Sequence, residues 1–137
     1  MVVIAAVGLG CGGGGSGATP APKCEKAPEG IGPDANATLQ DGDAGRTVCL
    51  KQGDVLTVFL HAPVNDERWR PITTADHRVL TPRSSGVLTL PLGVTAAVFT
   101  AAGKGTARLT STRPPCSPSS AATCDASHQW SARVIVT

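Results

Sequence analysis

The sequence predicts an all-β protein, an immunoglobulin-like β-sandwich of about seven strands with a disordered N-terminal leader and tether. Apolar and polar residues alternate with a period of two over most of the chain, which is the spacing of a half-buried strand. Glycine or proline separates these segments, and no segment carries an apolar stripe at helical spacing that is long enough for a helix. Short strands joined by such turns are typical of two packed sheets whose loops gather at the two ends.

The predicted strands share this alternation. In chain order they are residues 47–50, 55–60, 87–90, 96–100, 106–110 and 133–137. Gln52-Gly53-Asp54 separates the first two and predicts a hairpin, and Gly103-Lys104-Gly105 predicts a second hairpin turn. The chain of 137 residues is 41% hydrophobic but only 3% aromatic, so it can bury one modest core of mostly aliphatic side chains. Trp69 is expected to fill part of that core.

Residues 1–10 are predicted to form an export signal of the lipoprotein type. The first nine residues are apolar and too few to span a bilayer as a helix, and Gly10 places a small residue before Cys11. This arrangement resembles a bacterial lipoprotein signal, in which the leader is cleaved before the cysteine and the cysteine carries lipid. It predicts an exported protein that is anchored to a bacterial membrane through Cys11. The alternatives are a plain secreted protein and an apolar start without such meaning.

Residues 11–35 are predicted to be a flexible tether, because they are rich in glycine, alanine and proline and lack apolar periodicity. The sandwich domain is then expected to comprise residues 36–137 and to be a monomer. The net charge of +2 is spread along the chain, with no run of basic residues and no interleaved aromatics. This pattern excludes a nucleic-acid-binding surface.

Five cysteines are present, and four remain if Cys11 carries lipid. An even number suits two disulfides in an oxidising compartment, and four cysteines allow three pairings that sequence alone does not decide. We expect Cys116–Cys124, because the segment between them is one short loop, and therefore Cys24–Cys49. A zinc site is the competing interpretation, but no C-x-x-C pair occurs.

No catalytic, cofactor or metal site is predicted. Asp41-Gly42-Asp43 resembles the start of a calcium loop but lacks the later carboxylates, so an acidic turn is expected. His61, His77 and His128 do not have the close spacing of metal ligands and are expected at the surface or at strand ends. No nucleophile or acid–base pair stands at the spacing of an active site, and we therefore expect a protein that is not an enzyme.

The order of features along the chain resembles one known family. Residues 46–58 have the form R-T-V-x-L-x-x-G-D-x-L-T-V and are followed by a loop that closes on Trp69. A loop around Gly93, the glycine turn near residue 104 and an Arg113-Pro114 pair come next. This order is similar to that of the chagasin family, which are immunoglobulin-like inhibitors of papain-type cysteine peptidases. The resemblance covers residues 37–137.

The resemblance implies an inhibitory wedge of three loops at one end of the sandwich, which in the family enters the active-site cleft of the peptidase. In this chain Trp69 closes the first loop without the family's Thr-Gly step or the aromatic before it. Gly93 lacks a second glycine two residues away, and Pro115 replaces the aromatic that follows Arg-Pro. The implied binding residues are Pro63, Val64, Asn65, Asp66, Glu67, Arg68, Trp69, Gly93, Arg113, Pro114 and Pro115.

Two functions are consistent with these features. The first is an exported, lipid-anchored inhibitor that blocks the active-site cleft of a papain-like cysteine peptidase. The second is a non-enzymatic envelope lipoprotein that uses the same scaffold to bind another envelope protein or to serve a structural role.

Overall fold

The computed structural model is a sandwich of two β-sheets, as the alternation predicts, and it describes residues 23–31, 34–63, 67–83, 91–116, 119 and 124–137. Nine strands lie in this part of the chain. They are β1 Glu25–Lys26, β2 Ala37–Leu39, β3 Thr47–Leu50, β4 Val55–His61, β5 Thr73–Thr74, β6 Leu80–Arg83, β7 Val94–Ala101, β8 Gly105–Thr112 and β9 Gln129–Val136. Two short 3-10 turns, Asp41–Asp43 and Ala126–His128, accompany them.

Strands that follow one another in the chain often lie in different sheets. One sheet has five strands in the order β1-β3-β9-β8-β5, and the other has four in the order β2-β4-β7-β6. β3 pairs in parallel with β1 and β9, and β2 pairs in parallel with β4, whereas the other pairs are antiparallel. Most of the stabilising contacts therefore join residues that are distant in sequence.

The core fills the space between the sheets. Alternate residues of β4 and β9 point into it, and Leu56, Val58, Leu60 and Val134 are fully buried there. Removing apolar side chains from water in this way supplies the main driving force for folding. The expectation that Trp69 fills the core is confirmed, because its ring joins this cluster and is only 7% exposed.

The hairpin predicted around Gly53 is wrong. β3 and β4 belong to different sheets, so residues 51–54 carry the chain across the sandwich. The Gln52 amide donates to the carbonyl of Thr137 at 3.1 Å, and the Gly53 amide donates to Ala101 at 2.8 Å. Each end of the turn is thus bonded to the sheet that it joins. A glycine turn between two alternating segments does not specify whether the two strands pair with each other or join different sheets, because that depends on partners elsewhere in the chain.

The hairpin predicted at residues 103–105 is wrong for the same reason, since β7 and β8 also lie in different sheets. Gly105 has a φ of 143°, a conformation that a residue with a side chain rarely adopts.

The last strand begins at Gln129 rather than at residue 133, and the predicted strand 87–90 lies outside the described residues. None of the described helices is long and apolar enough to span a membrane.

The end of the predicted tether is part of the sandwich. β1 pairs with β3, Glu29 forms an antiparallel bridge with Ala37, and Cys24 is bonded to Cys49. The boundary between tether and domain therefore lies before Cys24 rather than at residue 35. The predicted signal of residues 1–10, Cys11 and the tether up to residue 22 lie outside the described residues.

Both expected disulfides are confirmed. Cys24 and Cys49 have Cα atoms 5.3 Å apart, and Cys116 and Cys124 have Cα atoms 5.8 Å apart. The first joins the N-terminal segment to β3, and the second closes the loop between β8 and β9. Cys116 is fully buried, so this loop has a fixed anchor at its first end.

Candidate functional site

The described parts of the three loops lie at one end of the sandwich. The first begins where β4 ends at His61, and the second ends where β7 begins at Val94, and these two residues are register partners. Within the first loop, the Trp69 indole Nε1 donates to the carbonyl of His61 at 3.1 Å. The third loop begins where β8 ends, and its Arg113 lies over the ring of Trp69 in the first loop. The antiparallel pairing of β4 with β7 thus brings distant segments of the chain together.

Two hydrogen bonds join the first loop to the second loop and to the start of β7. The amide of Ala62 donates to the carbonyl of Gly93 at 2.8 Å, and the hydroxyl of Thr95 donates to the carbonyl of Trp69 at 2.9 Å. Gly93 has a φ of 82°, which lets the chain turn sharply between Pro91 and Val94. That turn directs Leu92 outward, and Leu92 is 79% exposed.

The first and third loops meet at Arg113. Its guanidinium carbon lies 5.5 Å from the centre of the Trp69 ring, Nη1 donates to Oε2 of Glu67 at 2.5 Å, and Nη2 donates to the carbonyl of Ser127 at 3.0 Å. The side chain of Arg113 is 10% exposed, whereas that of Glu67 is 38% exposed. A planar guanidinium can make these contacts at once because its donors are held in a fixed fork.

Arg70 also holds the third loop in place. Nη1 of Arg70 donates to the carbonyl of Cys116 and, at 3.1 Å, to the hydroxyl of Thr112. The amide of Cys116 donates to the carbonyl of Arg113 at 3.0 Å. Two arginines therefore fix the start of the loop that the disulfide closes.

The Ala126–His128 turn accepts a hydrogen bond from Arg113, and Asp125 holds the turn in place. The carboxylate of Asp125 accepts the amide of Ser127 at 2.9 Å, so the turn presents the Ser127 carbonyl to Arg113. Hydrogen bonding from the Ser127 amide and hydroxyl lowers the pKa of Asp125 from its ordinary range, and the positive charges of His128 and Arg113 add to the effect.

The acidic turn expected at residues 41–43 is confirmed. Asp43 is buried, accepts the Gln40 amide at 2.8 Å and pairs with Arg46 at 2.6 Å, so its oxygens hold the turn. Asp41 accepts both the His61 amide and Nδ1 of the His61 ring, the latter at 2.7 Å. No cluster of three or more metal-ligating side chains occurs in the part of the chain that the structure describes.

The residues predicted for the site separate into buried and exposed sets. Trp69, Gly93 and Arg113 are buried, Glu67 and Pro114 are half-buried, and Pro63, Arg68 and Pro115 are exposed. Val64, Asn65 and Asp66 lie outside the described residues. Leu92 was not predicted, although a leucine beside a turn glycine at a loop tip is the signal that marks it.

Comparison with known proteins gives a match in fold. No protein-family model matches the sequence, and no curated protein matches it. The cysteine protease inhibitor EhICP2 from Entamoeba histolytica matches with a TM-score of 0.54 and 12% sequence identity, over 73% of this chain and 93% of that one.

Two further structures are less similar. Amebosin matches with a TM-score of 0.45 and 16% identity, over 77% of this chain and 100% of that one. PbICP-C in complex with falcipain-2 matches with a TM-score of 0.40 and 13% identity, over 82% and 98% of the two chains. The match to EhICP2 shows that this chain has the fold of a protein described as a cysteine protease inhibitor.

Proposed function

We propose that this protein is an exported, non-enzymatic inhibitor that blocks the active-site cleft of papain-like cysteine peptidases with the three loops at the end of the sandwich. The proposal rests on the contacts that join these three loops. The Ala62 amide bonds to Gly93, and Arg113 lies over Trp69 while it pairs with Glu67. A wedge requires all three loops at one end, and the fold shared with a cysteine protease inhibitor supports the same function.

The buried and exposed residues have different tasks in this proposal. Trp69 and Arg113 are buried and hold the loops together, so they shape the surface and contribute little direct contact. Pro63, Leu92 and Pro115 are exposed at the same end and are available to the peptidase. An exposed leucine and two prolines provide apolar contact in a region where the family places aromatic side chains.

Inhibition by such a surface depends on its rigidity. A loop that is ordered before binding loses less conformational entropy when it enters a cleft. The Cys116–Cys124 disulfide and the bonds from Arg70 restrict the third loop, and the backbone bond between Ala62 and Gly93 restricts the other two. The proposed inhibitor is therefore a pre-shaped plug that fills the cleft without being cleaved.

A titration against papain tests the proposal. The purified protein, with both disulfides formed, is added to papain, and hydrolysis of a small fluorogenic substrate is followed. We expect competitive inhibition that saturates at one inhibitor per peptidase. Undiminished activity at micromolar protein would contradict the proposal for papain and would favour a module that binds another envelope protein.

Lipid attachment at Cys11 is the second part of the proposal. The other four cysteines form two disulfides, which are typical of exported proteins, and Cys11 is the one that is left for another role. Expression with a radioactive fatty acid should label the wild-type chain in the membrane fraction, whereas Cys11→Ala should be unlabelled. Label that persists in Cys11→Ala would refute the anchor without affecting the proposed inhibition.

A further inference from the structure

Two arginines face each other on the outer face of the five-stranded sheet. Arg108 on β8 and Arg133 on β9 are direct register partners, and both are exposed. Like charges placed directly opposite one another on neighbouring strands destabilise the pair. Within the described part of the chain, neither arginine forms a salt bridge. The fold therefore maintains a local concentration of positive charge that its own carboxylates do not neutralise.

A groove runs along the same face and is lined by Arg108, whereas Arg133 lies outside its lining, opposite Arg108 on β9. Arg108, Thr110, Ser131 and Gln129 line it together with Arg70, and the remaining lining residues are uncharged. Of the ten acidic residues in the sequence, Asp66 alone lies outside the described residues, and none of the other nine lines the groove. The groove is thus positively charged and rich in hydroxyl groups.

Most of the backbone of this face is already paired with neighbouring strands. β9 is paired with β3 on one side and β8 on the other, and β8 is paired along its length with β9 and in part with β5. A bound peptide needs partners for its own backbone groups, which a sheet face does not offer as a sheet edge does. The face offers hydroxyl, amide and guanidinium groups, and the hydroxyls of Thr73 and Thr110 lie 3.3 Å apart on it.

We propose that this groove binds an acidic polysaccharide. Guanidinium groups form paired hydrogen bonds with carboxylate or sulfate, and hydroxyl and amide side chains both donate to and accept from sugar hydroxyls. Arg108 in the groove and Arg133 opposite it on β9 would hold anionic groups of the polymer, and Thr110, Ser131 and Gln129 would contact the adjoining sugar. The site lies on a sheet face rather than on the loops, so it does not depend on peptidase inhibition.

Binding to immobilised polymers tests the proposal. Dextran sulfate carries the anionic groups, unmodified dextran is the same polymer without them, and poly-L-glutamate is an acidic peptide. We expect the protein to bind dextran sulfate, to release it as salt is raised, and to ignore dextran. Equal binding to dextran, or tighter binding to poly-L-glutamate than to dextran sulfate, would overturn the proposal, the latter in favour of an acidic protein partner.

Two charge-matched double variants locate the site. Arg108→Gln with Arg133→Gln should weaken binding of dextran sulfate about tenfold, because both guanidinium contacts are lost. Arg78→Gln with Arg83→Gln removes the same net charge from exposed positions outside the groove and should leave binding nearly unchanged. An equal loss in the two double variants would mean attraction by net charge alone and would overturn the proposed site.

A single variant gives an independent check. Thr110 is exposed on the groove floor, so Thr110→Glu introduces a carboxylate beside the arginines without disturbing the core. It should reduce binding as strongly as loss of the two arginines and leave the thermal midpoint nearly unchanged. Unaltered binding in Thr110→Glu would contradict the proposal even if the arginine variants proved difficult to fold.

Discussion

The guanidinium carbon of Arg113 lies 5.5 Å from the centre of the Trp69 ring, and this contact joins two loops that are more than forty residues apart in sequence. The ring belongs to the core, whereas Arg113 also bonds to Glu67 and to the Ser127 carbonyl. Arg113 therefore connects the hydrophobic core to the loop end. Its loss should affect folding stability as well as the shape of the proposed inhibitory surface.

Arg113→Ala should lower the free energy of unfolding by about 2 kcal/mol, because Glu67 and the Ser127 carbonyl lose a charged donor and Trp69 loses its cation. Arg113→Lys keeps the charge but not the fork and should lose about half as much. Arg68→Ala, which removes an exposed arginine next to Trp69, is the matched control and should have little effect. Urea unfolding measures all three, and equal stability of Arg113→Ala and the wild type would show that the contact is not stabilising.

The two disulfides should contribute different amounts of stability. Cys24–Cys49 spans 25 residues and Cys116–Cys124 spans 8, and the loop-entropy relation assigns about 3.5 and 2.5 kcal/mol to loops of these sizes. Replacing each pair by alanine and measuring urea unfolding should show the larger loss for Cys24–Cys49. The reverse order would mean that packing around the buried Cys116, rather than chain entropy, dominates.

The same two pairs should have the opposite order in peptidase inhibition. Loss of Cys116–Cys124 frees a loop of the proposed wedge, whereas loss of Cys24–Cys49 frees the N-terminal segment beside β3. We therefore expect weaker inhibition of papain, that is a larger inhibition constant, for the Cys116–Cys124 variant only, at a temperature where both variants are folded. Equal inhibition by the two variants would exclude a role for this loop.

Much of the fold follows from local features of the sequence. Alternation identifies β3, β4, β7 and β8, and the short separation between Cys116 and Cys124 favours the disulfide pairing that the structure shows. The sheet that each strand joins does not follow from such features. Gly53 bonds to Ala101, and Thr137 bonds to Leu50, so the course of the turn between β3 and β4 is decided by residues far away in the chain.

The meeting of the three loops was predictable from the sequence, but the exposure of their residues was not. The three loops implied by the resemblance meet at one end, yet Trp69 and Arg113 are buried there and Leu92 is exposed. Arg113 is buried because Glu67, 46 residues earlier, supplies an opposite charge at its guanidinium. A sequence motif names the residues at such a site, whereas their exposure depends on partners that the motif does not contain.

Stability should depend on pH through Asp125. Its pKa is lowered in the folded protein by the Ser127 amide, so the ionised carboxylate stabilises the native state. That contribution is present above the pKa of the unfolded chain and is lost as the pH falls through the lower, folded pKa. Asp125→Asn should be less stable than the wild type at pH 7, and the difference should vanish in strong acid. A difference that stays constant between neutral and acid pH would mean that the charge has no part in it.

Leu92→Asp should weaken inhibition of papain about tenfold or more, because a charge replaces an apolar side chain on the proposed contact surface. Leu92 is 79% exposed, so the substitution should leave the thermal midpoint nearly unchanged. Ile31→Asp is the matched control, since Ile31 is 57% exposed but lies beside Thr38, in the segment next to the edge strand β2. It should inhibit like the wild type. If both variants inhibit equally well, Leu92 does not contact the peptidase and the second loop is not part of the wedge. If both lose inhibition equally, the effect comes from added charge rather than from a defined surface.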